Sequence, residues 1–133
     1  MKRRRATTHT TELLRRLPIF AQCTRDELVQ LLPHTDVITV PVGTTFGGHG
    51  SAVREFLGIV DGHVDGRDRT SNAFVLGPGD HIGADELLAD EDHCATYTAT
   101  TPVTIVAMFG PTFRGLTARM PAVAERARRP RCR

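Results

Sequence analysis

Residues 83–87, Gly-Ala-Asp-Glu-Leu, and residues 93–96, His-Cys-Ala-Thr, place turn chemistry beside titratable side chains. A glycine turn feeding a short helix presents unpaired backbone N–H groups and the positive end of a dipole, which suits an anion. The charges oppose that use. Asp85 and Glu86 stand at the helix start, Asp90, Glu91 and Asp92 follow, and no Lys or Arg lies between Arg69 and Arg114. The scaffold suits a phosphate; the side chains repel one. His93 can give one or two N–H bonds but carries a full charge only if its pKa is raised. The neighbouring acids are expected to raise it, so that any anion binding would strengthen at lower pH.

The bulk composition bounds what could surround this cluster. A chain of 133 residues with a 40% hydrophobic fraction is long enough for one domain with its own core. The net charge of +2 hides a segregation: Lys2, Arg3, Arg4, Arg5 at one end and Arg126, Arg128, Arg129, Arg131, Arg133 at the other flank an acidic interior. Basic ends can bind nucleic acid or anionic lipid. Without aromatic interleaving or a reading helix they read as solvated termini, and no specific nucleic-acid binding is expected. Cys23, Cys94 and Cys132 lack framework spacing, which argues against a disulfide scaffold and for a reducing, cytoplasmic setting. No stretch approaches the length of a membrane span, and Thr-His-Thr-Thr after the basic start is no signal peptide. The preference for Arg over Lys suggests a bacterial coding bias. Nothing matches a Ser/His/Asp order, a Walker loop or a CxxC pair.

The elements that must position the cluster follow from periodicity. Leu13, Leu14 and Leu17 form one stripe over a helix at 9–17, ended by Pro18. Thr24-Arg-Asp-Glu27 is a capping box opening a second helix over 25–32, with Leu28, Leu31 and Leu32 inward and Pro33 as the stop. From 36 to 109 short runs rich in Val, Ile, Thr and Phe alternate with Gly and Asp. Strands are predicted at Asp36–Val40, Thr44–Phe46, Phe56–Val60, His63–Asp65, Phe74–Leu76, Ala95–Thr100 and Thr104–Met108. Their spacing predicts a sandwich or jelly-roll barrel. After 111 a helical pattern returns on Phe113, Leu116, Met120 and Val123, broken by Pro121.

In this order the pieces resemble the cyclic nucleotide-binding domain of the catabolite activator family, protein kinase regulatory subunits and cyclic-nucleotide-gated channels. Leu17-Pro-Ile-Phe20 with Thr24-x-x-Glu27-Leu28 is similar to that family's leading helices. Gly43, Gly50 and Phe56-Leu-Gly-Ile-Val-Asp-Gly62-His-Val64 are similar to its first hairpins. Leu76-Gly-Pro-Gly79-Asp80-His-Ile-Gly83 is similar to the approach to its phosphate-binding cassette. The resemblance implies a mainly β fold with flanking α-helices: a double-stranded β-helix (jelly-roll) barrel over 36–109, with N-terminal helices and a C-terminal helix pair. Residues 9–129 would be one cyclic nucleotide-binding-like domain, 1–8 a basic flexible N-terminus and 130–133 a basic tail.

The resemblance also assigns a site. Gly83, Ala84, Asp85, Glu86, Leu87, His93, Cys94, Ala95 and Thr96 fall on the cassette that would hold cAMP or cGMP. The family pattern is Gly-Glu, a short helix, then Arg-x-Ala ten residues after the Gly. The Glu accepts from the ribose 2′-OH and the Arg pairs with the cyclic phosphate. Here those positions hold Ala84 and His93. The expectation is a regulatory, non-catalytic domain with weak or absent cAMP and cGMP binding, no required cofactor and no metal. With no helix-turn-helix before Arg133 it would stand alone and act through a separate protein partner. One alternative is a ligand-free protein-interaction module. Another is a cupin-like metal enzyme: Gly43, His49, Ser51, Glu55 and Gly62 keep a cupin motif's spacing, with Ser51 replacing a ligand, and His81 and His93 would complete a set for Zn, Fe or Mn. The remaining features have plain readings. Asp90-Glu91-Asp92 is a solvated loop, His49 a polar turn residue, and the leucines are core.

Overall fold

A computed structural model describes residues 2–5, as backbone, and residues 10–129. The tail 130–133, with Cys132, lies outside the described residues, as do residues 1 and 6–9. Helix α1 (Thr10–Arg15) and helix α2 (Arg25–Leu31) sit where the leucine stripes placed them, with a 3-10 turn at Pro18–Phe20 between them. Thr24 caps α2: its Oγ1 accepts from Glu27 N–H at 3.1 Å, and Glu27 Oε1 accepts from Thr24 N–H at 2.8 Å. Such a reciprocal pair satisfies two donors that a helix start leaves open. A second 3-10 turn, Leu32–His34, absorbs Pro33.

Eight strands are described: β1 (Lys2–Arg5), β2 (Thr35–Val40), β3 (Glu55–Asp61), β4 (Val64–Asp68), β5 (Ala73–Leu76), β6 (His81–Ile82), β7 (Ala95–Ala99) and β8 (Val103–Phe109). They form two antiparallel sheets, ordered β1-β2-β8-β3-β6 and β5-β4-β7. Helix α3 (Ala84–Ala89) links β6 to β7, and α4 (Gly110–Thr117) and α5 (Pro121–Ala127) close the chain. This is the mainly β jelly-roll arrangement with flanking helices that the strand spacing predicted.

The five-stranded sheet is buried on both faces, because period-two alternation sends successive side chains to opposite sides. Val37, Phe56, Val106 and Met108 join Leu14, Leu17, Phe20, Leu28, Phe113 and Val123 in a helix-side core. Ile38, Leu57, Ile59 and Ile105 join Val64, Leu76 and Tyr97 of the smaller sheet in the barrel interior. Strands buried on both faces read as continuous apolar runs, as Phe56–Val60 and Val103–Met108 do. Phe56 stacks on Phe113 at 4.6 Å, joining β3 to α4.

Three expectations need correction. Residues 2–5 lie in the predicted flexible N-terminus, yet they pair with β2, Lys2 opposite Thr39 through Arg5 opposite Asp36. Strand pairing uses backbone groups, so four basic residues can cover an edge without any apolar pattern. Thr44–Phe46 forms no strand, only an isolated bridge between Thr45 and Thr98. The two-residue β6 was not predicted, being too short to show alternation.

Gly62 makes the tight β3–β4 turn. Its φ is 93° and a Cβ there would stand 2.2 Å from the Pro102 carbonyl oxygen. Both the left-handed conformation and the backbone contact exclude a side chain. Gly62→Ala is expected to lower stability by about 1–3 kcal/mol, read as a lower urea midpoint with an unchanged slope. An unchanged midpoint would show that the Thr101–Val103 backbone yields freely.

Candidate functional site

The cassette is built by β6, α3 and the start of β7. Gly83 opens α3 in a left-handed conformation, φ 92°, and a Cβ on it would meet Glu55 O and Val53 Cγ1, each at 2.9 Å. The glycine turn is therefore required here by both conformation and space.

Beyond Gly83 the expected site residues divide. Ala84 and Leu87 pack into the helix-side core, at 0% and 3% exposure. Neither faces the barrel interior. Ala95 is wholly buried on the other side, among the interior residues. Asp85 and Cys94 are half-buried. Thr96 Oγ1 accepts from His49 N–H at 3.0 Å. So the cassette has two faces, and the position to which the resemblance assigned the ribose acceptor lies on the apolar one.

Among the described residues Glu86 is the buried carboxyl and His93 the buried imidazole. The Glu86 carboxylate accepts from Cys94 N–H at 3.3 Å. Burial first, then the hydrogen bond and negative charge of Asp85, push its pKa up to about 8, against the backbone N–H groups of Glu86 and Cys94 that favour the charged form. His93 is 6% exposed and clamped by its backbone: its N–H donates to Ser51 O and its O accepts from Gly50 N–H, both at 2.9 Å. Its Nδ1 has no hydrogen-bond partner. Its ring lies so close to Gly47 that a Cβ there would stand 2.6 Å from Nε2. Burial lowers the His93 pKa, and Asp92 only partly offsets that. This corrects the expectation that the acids would raise it: Asp90, Glu91 and Asp92 are exposed, so water screens them, while desolvation acts directly on the ring. At neutral pH His93 is an uncharged donor or acceptor.

The loop 44–51 runs beside the start of β7. Phe46 N–H donates to Tyr97 O at 2.9 Å, and Ser51 Oγ donates to Gly48 O at 2.6 Å. Beneath the loop lies a cavity of about 390 Å³, open to solvent, with His93 in its wall. Sequence reasoning missed Gly47, Arg54 and this cavity. The signal was the pair Gly47-Gly48, which marks a close backbone approach. On the side of the smaller sheet the interior is filled: Phe74 covers Gly66 and meets Tyr97 edge-on at 6.1 Å.

The metal reading finds no geometry. Among the described residues no three His, Cys, Asp or Glu side chains lie close enough to hold an ion. His81 packs against Phe56, Ser51 closes the loop turn, and His49 uses its backbone on Thr96. The cysteine spacing argues against a disulfide scaffold, yet one cysteine is paired. Cys94 is disulfide-bonded, while Cys23 is free and buried, its thiol pushed up to about 11 by desolvation. Pairing depends on approach in space, which spacing along a chain does not reveal. No helix among the described residues is long and apolar enough to cross a membrane.

Two facing sheets, a glycine-opened helix between β6 and β7, and helices at both ends define the fold of cyclic nucleotide-binding domains, as the sequence resemblance implied. The chain superposes on cAMP-bound PfPKA-R with a TM-score of 0.79 at 17% identity, covering 89% of this chain and 42% of that one. It superposes on the regulatory subunit of a cAMP-independent protein kinase A from Trypanosoma brucei with a TM-score of 0.75 at 20% identity, covering 90% and 46%. Against the Thermus thermophilus catabolite activator protein the TM-score is 0.68 at 22% identity, covering 81% and 53%. In sequence it is 28% identical over 114 residues to the cyclic nucleotide-gated potassium channel mll3241 of Mesorhizobium japonicum. That match takes in 86% of this chain but only 32% of the channel, so the chain spans about a third of its length. No family model matches the chain.

Proposed function

We propose that this chain is a non-catalytic regulatory domain of the cyclic nucleotide-binding fold whose cassette binds cAMP and cGMP weakly or not at all. The observation that carries the reading is Glu86. Its carboxyl oxygen already occupies the Cys94 N–H at the cassette, a donor that a bound phosphate would need. His93 replaces the arginine and is neutral at pH 7. Loss of a charge-assisted pair to a buried phosphate costs about 2–5 kcal/mol, and loss of the ribose acceptor about 1–3 kcal/mol. Together these lower affinity by about 10²–10⁵-fold. One of the structural relatives is named as the regulatory subunit of a protein kinase; on this reading the present chain likewise acts on a separate protein partner.

Calorimetric titration with cAMP and cGMP near neutral pH tests the proposal. The expected result is no saturable heat, or dissociation constants weaker than about 0.1 mM. Binding at about 1 µM or tighter would mean that backbone donors and neutral His93 suffice, and the reading would fall.

A further inference from the structure

We propose that the cavity under the loop 44–55, which adjoins the phosphate cassette at His93, binds a small apolar carboxylic acid. Its floor is the inner face of the five-stranded sheet, formed by Ile38, Val40, Leu57 and Ile105 from three neighbouring strands. Phe46 supplies an apolar wall from the loop. A volume of about 390 Å³ lies in the range of small-molecule sites, and such sites are mostly apolar with a few placed polar groups.

Backbone hydrogen bonds hold the loop, with Phe46 packed against the interior cluster. Phe46 to Tyr97, Gly50 to His93 and His93 to Ser51 are all backbone pairs at 2.9 Å. They fix the loop at a distance from the sheet that the aliphatic side chains do not fill. A void of this kind gains dispersion contacts when an apolar body enters it.

The charge at the mouth selects the head group. Arg54 lines the cavity, is exposed, and makes no ion pair or side-chain hydrogen bond among the described residues. Glu55, on the same rim, is already engaged. His93 presents an uncharged ring. One available cation beside an apolar floor fits one carboxylate on an apolar body. The polar lining residues, Thr44, Thr45, Ser51 and His93, stand on the loop and cassette side, and the aliphatic floor offers a polar nucleobase no partner.

The test uses the whole chain and two probes, decanoate for a flexible body and naphthalene-1-acetate for a flat one. Decanol serves as the uncharged control. Calorimetry is expected to show saturable 1:1 binding of at least one acid. Arg54→Gln should weaken that acid on the order of fivefold and leave decanol unchanged. Leu57→Trp, which fills the floor, should abolish binding, with circular dichroism confirming the fold. If that variant does not fold, Arg54→Gln alone decides. Failure of both acids to bind overturns the proposal. So does an Arg54→Gln effect that is absent for the acids or equal for decanol. Competitive displacement of a bound acid by cAMP also overturns it, because the cavity would then be the nucleotide seat.

Discussion

Ala84→Glu is expected to destabilise the domain strongly, not to restore a ribose contact. The resemblance places a glutamate at this position, and a reversion would be the natural experiment. In the structure Ala84 is fully buried and belongs to the apolar cluster that holds Phe56, Leu87, Phe113 and Val123. One methylene and a carboxyl would enter a close-packed region. Overpacking alone costs about 1–3 kcal/mol, and an unpaired buried carboxylate several more. A total of about 3–5 kcal/mol is a large part of the stability of a small domain. The thermal midpoint should fall by about 10–20 °C, followed by far-UV circular dichroism. Ala84→Ser should be tolerated far better, because it adds only a hydroxyl. If Ala84→Glu instead melts like the parent and gains cAMP affinity, α3 can turn this position toward the ligand. The two-faced description of the cassette would then be wrong.

The second large effect is a pH dependence set by Glu86. Its folded pKa of about 8 stands above the ordinary 4.5. The folded state therefore binds a proton that the unfolded state has released across that interval. Stability from this group is fully present below about pH 4.5 and is lost as pH rises toward 8. Glu86→Gln copies the protonated side chain: it still accepts from Cys94 N–H and can donate to Asp85. At pH 8 the variant should be more stable than the parent by about 2–4 kcal/mol, and at pH 4.5 the two should be equal. His93 contributes the opposite slope, because burial lowers its pKa and protonation below its ordinary value near 6.5 favours unfolding. Urea midpoints at pH 4.5, 6 and 8 separate the two groups. Equal midpoints for parent and Glu86→Gln at pH 8 would show that Glu86 is solvated and ionised, and the argument that it plugs the cassette would lose its basis.

Features that depend on near neighbours were legible from the residues. The capping box of Thr24 and Glu27, the stops at Pro18 and Pro33, and the break at Pro121 all act within a few residues, so the sequence contains every partner. The strands with continuous apolar runs were equally plain, since double-sided burial leaves no polar alternation. The strands missed were those too short or too polar to show an apolar alternation. Lys2–Arg5 completes an edge and His81–Ile82 adds two residues beside β3; neither needs a side-chain pattern.

The candidate site was legible as a location but not as a set of directions. Gly83 and the stretch 93–96 lie together at the corner formed by β6, α3 and β7. Whether Ala84 faces a ligand or a core depends on the helices that cover α3 from a distance in sequence. The sign of the His93 shift depends on how far the ring is withdrawn from water, and that is set by Gly47, well back along the chain. The cavity depends on a loop tied to β7 by backbone hydrogen bonds that leave no trace in residue types. The sequence by itself determined the fold class and the glycine turn that opens α3, because local propensity and apolar periodicity are written residue by residue. Only the tertiary structure decided which side chains are desolvated, which are paired and which line empty space, because burial and electrostatics are properties of the surroundings.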